Sequence, residues 1–122
     1  MLFSIFTFTT YAQCRLGSTK SEIIKEFDDL TAQEDVADDG TPFITYELYD
    51  FHICYYFLND VCMRTIIFPH NYNVASNFIK RYNNSYIRMS ETLWMWDTGN
   101  NIISISMDYA DGLYFFIFDY ES

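Results

Sequence analysis

The chain has 122 residues, half of them hydrophobic and a fifth aromatic, enough for one domain whose core needs neither metal nor disulfide staples. A formal net charge of -10 argues against a nucleic-acid surface, because contact with phosphates needs clustered Lys and Arg, and it repels anionic membranes. The same charge suits a basic protein partner, and it also helps to keep an aromatic-rich chain in solution.

Residues 1–12, MLFSIFTFTTYA, are uncharged and apolar and end on a small residue. They read as a truncated or misassigned signal segment cleaved between Ala12 and Gln13, or else as a structural strand that Thr7, Thr9 and Tyr11 would tolerate. A basic leading region is lacking, and Gln13 is bulky where a lipid anchor on Cys14 would want a small residue. No stretch approaches the ~20 apolar residues of a membrane helix. The three cysteines are an odd number with neither a C-x-x-C nor a zinc spacing, so they form no disulfide framework.

Residues 13–122 are expected to form one domain in two halves, about 16–68 and 69–122. Gly17 and Ser18 turn the chain into a helix opened by the capping box Thr19-Lys20-Ser21-Glu22. Ile23, Ile24, Phe27 and Leu30 make its apolar stripe. The acidic run from Thr31 to Gly40 reads as a solvated loop. It does not fit a calcium loop, because Val36 and Ala37 interrupt the alternating oxygen donors.

From Pro42 the hydrophobic period changes to two. Strands are expected at 43–49, 51–58 and 61–68, with Asn59-Asp60 as a two-residue hairpin turn. Pro69 stops the sheet. A second helix follows over about 72–82, capped by Asn71 and ended by Asn83-Asn84, with Val74, Ala75, Phe78, Ile79 and Tyr82 on its buried face. Three more strands are expected at 86–96, 102–109 and 113–120, the last two joined by the strong turn signal Asp111-Gly112. The expected fold class is therefore α+β: an antiparallel sheet with two helices packed on one face, in an α-β-β-β-α-β-β-β pseudo-repeat.

The turns fix the registers. Asp111-Gly112 sets Tyr109 opposite Tyr114 and Met107 opposite Phe116, which puts Ile103, Ile105, Phe116 and Phe118 on the core face. Extension through the turn at Thr98 adds Trp94 and Trp96. Asn59-Asp60 sets Phe57 opposite Cys62 and Tyr55 opposite Arg64. That register sends Cys54 and Cys62 to opposite faces, so no disulfide joins them. It also leaves Arg64 on the core face, at an edge where its stem packs and its head reaches water.

The opposite sheet face carries Tyr56, Met63, Ile67, Met95, Phe115 and Ile117. These are large apolar groups without an evident cover, and they are the candidate protein-binding face. The alternative is that residues 1–11 or the acidic loop cover it. No catalytic or metal site emerges, and no cofactor is expected. Asp50, His52 and Cys54 alternate on one strand, but residues two apart lie ~6.5–7 Å from each other, beyond hydrogen-bond reach for a nucleophilic set. His52, Cys54 and His70 match no ligand spacing.

Leu16-Gly17-Ser18-Thr19-Lys20-Ser21-Glu22-Ile23 resembles the helix-opening segment of the beta-lactamase-inhibitory-protein-like superfamily, which includes the small lipoprotein of outer-membrane β-barrel assembly. Tyr55-Tyr56-Phe57-Leu58-Asn59-Asp60-Val61 is similar to its strand–turn–strand segment. The resemblance implies an exported α+β domain that binds proteins, with no catalytic residues to carry over. The expected function is thus that of an exported, periplasmic or secreted, non-catalytic binding domain with an as yet unidentified protein partner. The alternative is a cytosolic, acidic immunity-type protein that neutralises a basic toxin enzyme.

Overall fold

The computed structural model describes residues 14–121. The signal-segment reading of residues 1–12 falls outside them. Helix α1 spans Lys20–Glu26 and is followed by strands β1 (Gln33–Val36), β2 (Pro42–Glu47), β3 (Phe51–Leu58) and β4 (Val61–Pro69). Helix α2 spans Tyr72–Ser85 and is followed by β5 (Ile87–Ser90), β6 (Leu93–Asp97), β7 (Ile102–Ala110) and β8 (Leu113–Tyr120). All eight strands form one antiparallel sheet in the order β1-β2-β3-β4-β8-β7-β6-β5.

Each helix is therefore followed by four strands, where three were expected. The acidic run supplies the first extra strand. Gln33, Glu34 and Asp35 have little strand propensity, yet they pair with Thr45, Ile44 and Phe43 at the sheet edge. Pairing outweighs propensity here, and a short charged strand also protects an edge from further pairing. The second extra strand comes from a break in the run 86–96. Arg88 donates to the carbonyls of Ser90 (3.0 Å) and Glu91 (2.8 Å) and lays its guanidinium over Trp94, which pins a tight turn at Glu91-Thr92.

The helix signals translate directly into contacts. Thr19 accepts from the Glu22 amide while Glu22 accepts from the Thr19 amide, the reciprocal capping box. Gly17 (φ +90°) donates to the Cys62 carbonyl at 2.8 Å, and Cys62 donates back to Ser18 at the same distance, so α1 is tied to the tip of the β3–β4 hairpin. The positive φ requires glycine here, and a Cβ would in addition sit 2.9 Å from the Tyr120 hydroxyl, which would have to shift. Phe27 stacks on Tyr46 at 4.5 Å, Phe78 meets Phe51 edge-on at 5.2 Å, and Tyr82 meets Phe116 at 5.2 Å. Ile23, Ile53, Ile67, Trp94 and Ile105 fill the space between them. Aromatic pairs in these stacked and edge-on geometries each add about 0.5–1.5 kcal/mol beyond burial.

Asn59 and Asp60 both have positive φ, as do Asp111 and Gly112, and both hairpins close as the turn residues require. The β7–β8 register is as the Asp-Gly turn sets it, from Ala110 opposite Leu113 to Ile103 opposite Tyr120. The β3–β4 register begins as expected, with Phe57 opposite Cys62, and then slips. Tyr56 faces Arg64 and Tyr55 faces Thr65, so Met63 is an extra residue in a β-bulge. Beyond the bulge the alternation reverses. Ile67, expected on the open face, is fully buried in the core, and Thr65 is buried beside it. Arg64, expected on the core face, lies on the opposite one and makes a two-pronged bond to Asp119 at 2.8 and 2.9 Å. An unbulged strand would push a guanidinium into the aromatic core at a cost of several kcal/mol, and one extra residue avoids it.

The three cysteines are free, with Cys62 in the core and Cys54 on the other face. Trp94 is fully buried and donates its indole N–H to Asn83 at 2.9 Å, whereas Trp96 is only partly buried against Tyr86. Trp94→Ala is therefore expected to lose roughly 3–5 kcal/mol in denaturant melts, and Trp96→Ala clearly less. Equal losses at both positions would contradict the packing.

Candidate functional site

Residues paired across antiparallel strands point to the same side, so the ladder defines the face opposite the core. One transverse row runs Asp35, Phe43, Tyr56 and Arg64, then crosses to Asp119, Ser104 and Met95. The next runs Gln33, Thr45, Cys54, Ile66, Ile117, Ser106 and Leu93. A third runs Glu47, His52 and Phe68 to Phe115, whose ring stacks on Phe68 at 5.5 Å, and on to Asp108. Five of the six residues expected on this face are there: Tyr56, Met95, Phe115 and Ile117 half-buried, and Met63 exposed at the bulge. Ile67 is the exception.

The centre of the face is apolar and its margins are acidic. Asp35, Glu47, Asp108 and Asp119 lie on the rows, and Arg64 is the one Lys or Arg among them. The turn between β1 and β2 overhangs one margin and closes a recess of about 670 Å³ bounded by Asp38, Asp39, Tyr56, Met63, Arg64 and Asp119. Its three carboxylates face one guanidinium, already engaged by Asp119. Bonds from Thr41 hold the Asp39 carboxyl below its ordinary range and so keep it ionised.

A second cluster lies at the far end of the third row. Glu47 closes β2, His52 is the second residue of β3 and lies opposite it, and His70 follows Pro69 at the end of β4. His70 donates its backbone N–H to the Asp50 carbonyl at 2.9 Å, which draws it onto the β2–β3 turn. One ligand atom from each of Glu47, His52 and His70 lies within 4.8 Å of the others. His70 Nε2 is 2.9 Å from a Glu47 oxygen and its Nδ1 is 3.2 Å from the Tyr49 carbonyl oxygen. His52 Nδ1 is 3.8 Å from the other Glu47 oxygen, and its ring stacks on Phe68 at 4.6 Å. A mostly apolar cavity of about 380 Å³ adjoins the two imidazoles.

The sequence reading named His52 and His70 but grouped them with Cys54 and Asp50, and missed Glu47. Cys54 is buried with its sulfur 3.2 Å from the Thr45 hydroxyl, and Asp50 lies in the turn before β3, so the structure does not assemble the Asp50, His52 and Cys54 set. Burial raises the Cys54 thiol, and raises Cys62 to about 11 and Cys14 to about 12, which disfavours the thiolate a nucleophile needs. The signal for Glu47 was the hairpin register, which sets it opposite His52. Among the described residues, no helix is long and apolar enough to cross a membrane. No protein-family model matches the chain, and neither a curated protein nor a solved structure does.

Burial lowers the proton affinity of His52 below the ordinary histidine value, with Glu47 opposing the shift and His70 reinforcing it. The native state therefore favours the neutral ring, while the unfolded chain takes up the proton first. The associated stability is present above the ordinary value of about 6.5 and is lost as the pH falls through the lower folded value. Proton NMR should show a His52 midpoint below that of a free histidine; a midpoint above it would contradict the placement.

Proposed function

We propose that this chain is a non-catalytic protein-binding domain that docks a basic protein on the sheet face bearing Tyr56, Met63, Met95, Phe115 and Ile117. The observation that carries the reading is the recess beside Tyr56 and Met63, where Asp38, Asp39 and Asp119 surround aromatic and thioether side chains. Apolar walls with a surplus of carboxylates suit a Lys or Arg side chain whose stem packs while its head is paired. The other cations of the chain, Arg15, Lys20, Lys25, Lys80, Arg81 and Arg88, lie off the rows of this face, so the field there is negative and steers a basic partner inward.

The two halves are read as copies of one unit, each a helix and a four-strand meander, with both helices on the side away from the docking face. The element order and the helix contacts of Phe27, Phe78 and Tyr82 support this. Export remains the proposed route, on the apolar segment 1–12 and on the resemblance to the beta-lactamase-inhibitory-protein-like superfamily. The acidic recess equally favours a second reading, a cytosolic immunity-type protein that neutralises a basic toxin enzyme.

The test uses the immobilised chain as bait in extract of its native host, beside a variant with Asp38→Asn and Asp39→Asn and a variant with Tyr56→Ala and Met63→Asp. The expected result is capture of a basic protein that salt releases, that both variants lose, and that purified material rebinds. The variants should melt close to the parent, because all four side chains lie at the surface or half-buried. An acidic partner, or one that both variants retain, would overturn the reading.

A further inference from the structure

We propose that Glu47, His52 and His70 bind one first-row divalent transition-metal ion, with Zn2+ the best fit, at the end of the docking face. A tetrahedral zinc holds N and O donors at ~2.0–2.2 Å, which spaces neighbouring donors about 3.3 Å apart. Glu47 Oε2 stands 2.9 Å from His70 Nε2 and Glu47 Oε1 3.8 Å from His52 Nδ1, on either side of that value, and one ligand atom from each residue lies within 4.8 Å of the others. Two imidazoles and one carboxylate favour zinc, nickel or copper over magnesium or calcium, which take all-oxygen sites.

The hydrogen bonding of His70 points the same way. Both of its ring nitrogens face acceptors, the Tyr49 carbonyl at Nδ1 and the Glu47 carboxylate at Nε2. With the ring proton on Nδ1 against the Tyr49 carbonyl, the Nε2 lone pair is directed at the Glu47 carboxylate, and an ion between them would bond both. An Nδ1–H held by a backbone carbonyl is also how ligating histidines are commonly oriented. The backbone fixes the three ligands independently: Glu47 and His52 are a cross-strand pair, and His70 is tied to Asp50. His52 is further held by its stack on Phe68.

Three protein ligands leave a tetrahedral ion one open position. The cavity walled by Phe68, Pro69, Leu113 and Phe115 adjoins it, so the fourth donor is water or a small ligand entering from that side.

The test is calorimetric titration of the full chain with ZnCl2, with CoCl2 as an optical probe and histidine ring NMR on the parent protein. The expected result is one ion per chain, visible absorption of a low-coordinate Co2+ centre, and movement of both histidine ring signals, those of His52 and His70, with the tyrosine rings unmoved. His52→Ala, His70→Ala and Glu47→Gln should each weaken binding at least tenfold, whereas replacing all three cysteines by serine should leave it unchanged. Should His70→Ala fail to fold, His70→Gln and the ring signals of the parent protein decide. Stoichiometric binding that survives the histidine and glutamate changes, ring signals that do not move, or only weak binding in excess of one ion would overturn the proposal.

Discussion

The pairing of β4 with β8 is the contact on which the arrangement depends. Four residue pairs, from Arg64 opposite Asp119 to Ile67 opposite Phe116, join two meanders into one eight-stranded sheet. These partners are some fifty residues apart in the chain, so this seam carries a larger loop-closure cost than any of the hairpins beside it. The bulge at Met63 makes the seam possible. Lying three residues past the hairpin turn, it sends Thr65 and Ile67 into the core and Arg64 outward, and so determines which side chains each face carries.

Much of the fold was legible because its signals are local. The capping box, the Asn59-Asp60 and Asp111-Gly112 turns and the helical stripe through Phe78 and Tyr82 each depend on neighbours within a few residues. The β7–β8 register followed from its turn alone, since nothing interrupts the alternation from Ile103 to Tyr120. What was not legible depends on distant partners. Strand β1 exists because β2 offers it an edge, and the break between β5 and β6 rests on Arg88 reaching over Trp94. The bulge did leave a trace in the sequence. A strictly alternating β4 placed an arginine inside and an isoleucine outside, and that double mismatch was the sign that one residue had to be skipped.

The candidate sites show the same division. Most of the open face followed from alternation, and Ile67 was lost from it for the reason just given. The Glu47, His52 and His70 cluster needed three-dimensional closure, because β2, β3 and the residue after β4 converge only once the hairpins are stacked. Its position at the margin of the acidic, apolar-centred face puts the proposed ion beside the proposed docking surface. Glu47 then serves both, as a carboxylate of the rim and as a metal ligand.

The bulge is tested most directly by deleting Met63. Removal of the extra residue leaves Phe57 opposite Cys62 and Tyr56 opposite Arg64, with every other side chain on its present face. The deletion variant should therefore fold and unfold cooperatively in denaturant, within about 1–2 kcal/mol of the parent, whereas deletion of Ile66 should abolish folding because it turns the start of β4 inside out. A Met63 deletion that fails to fold, beside an Ile66 deletion that folds, would contradict this account of the sheet.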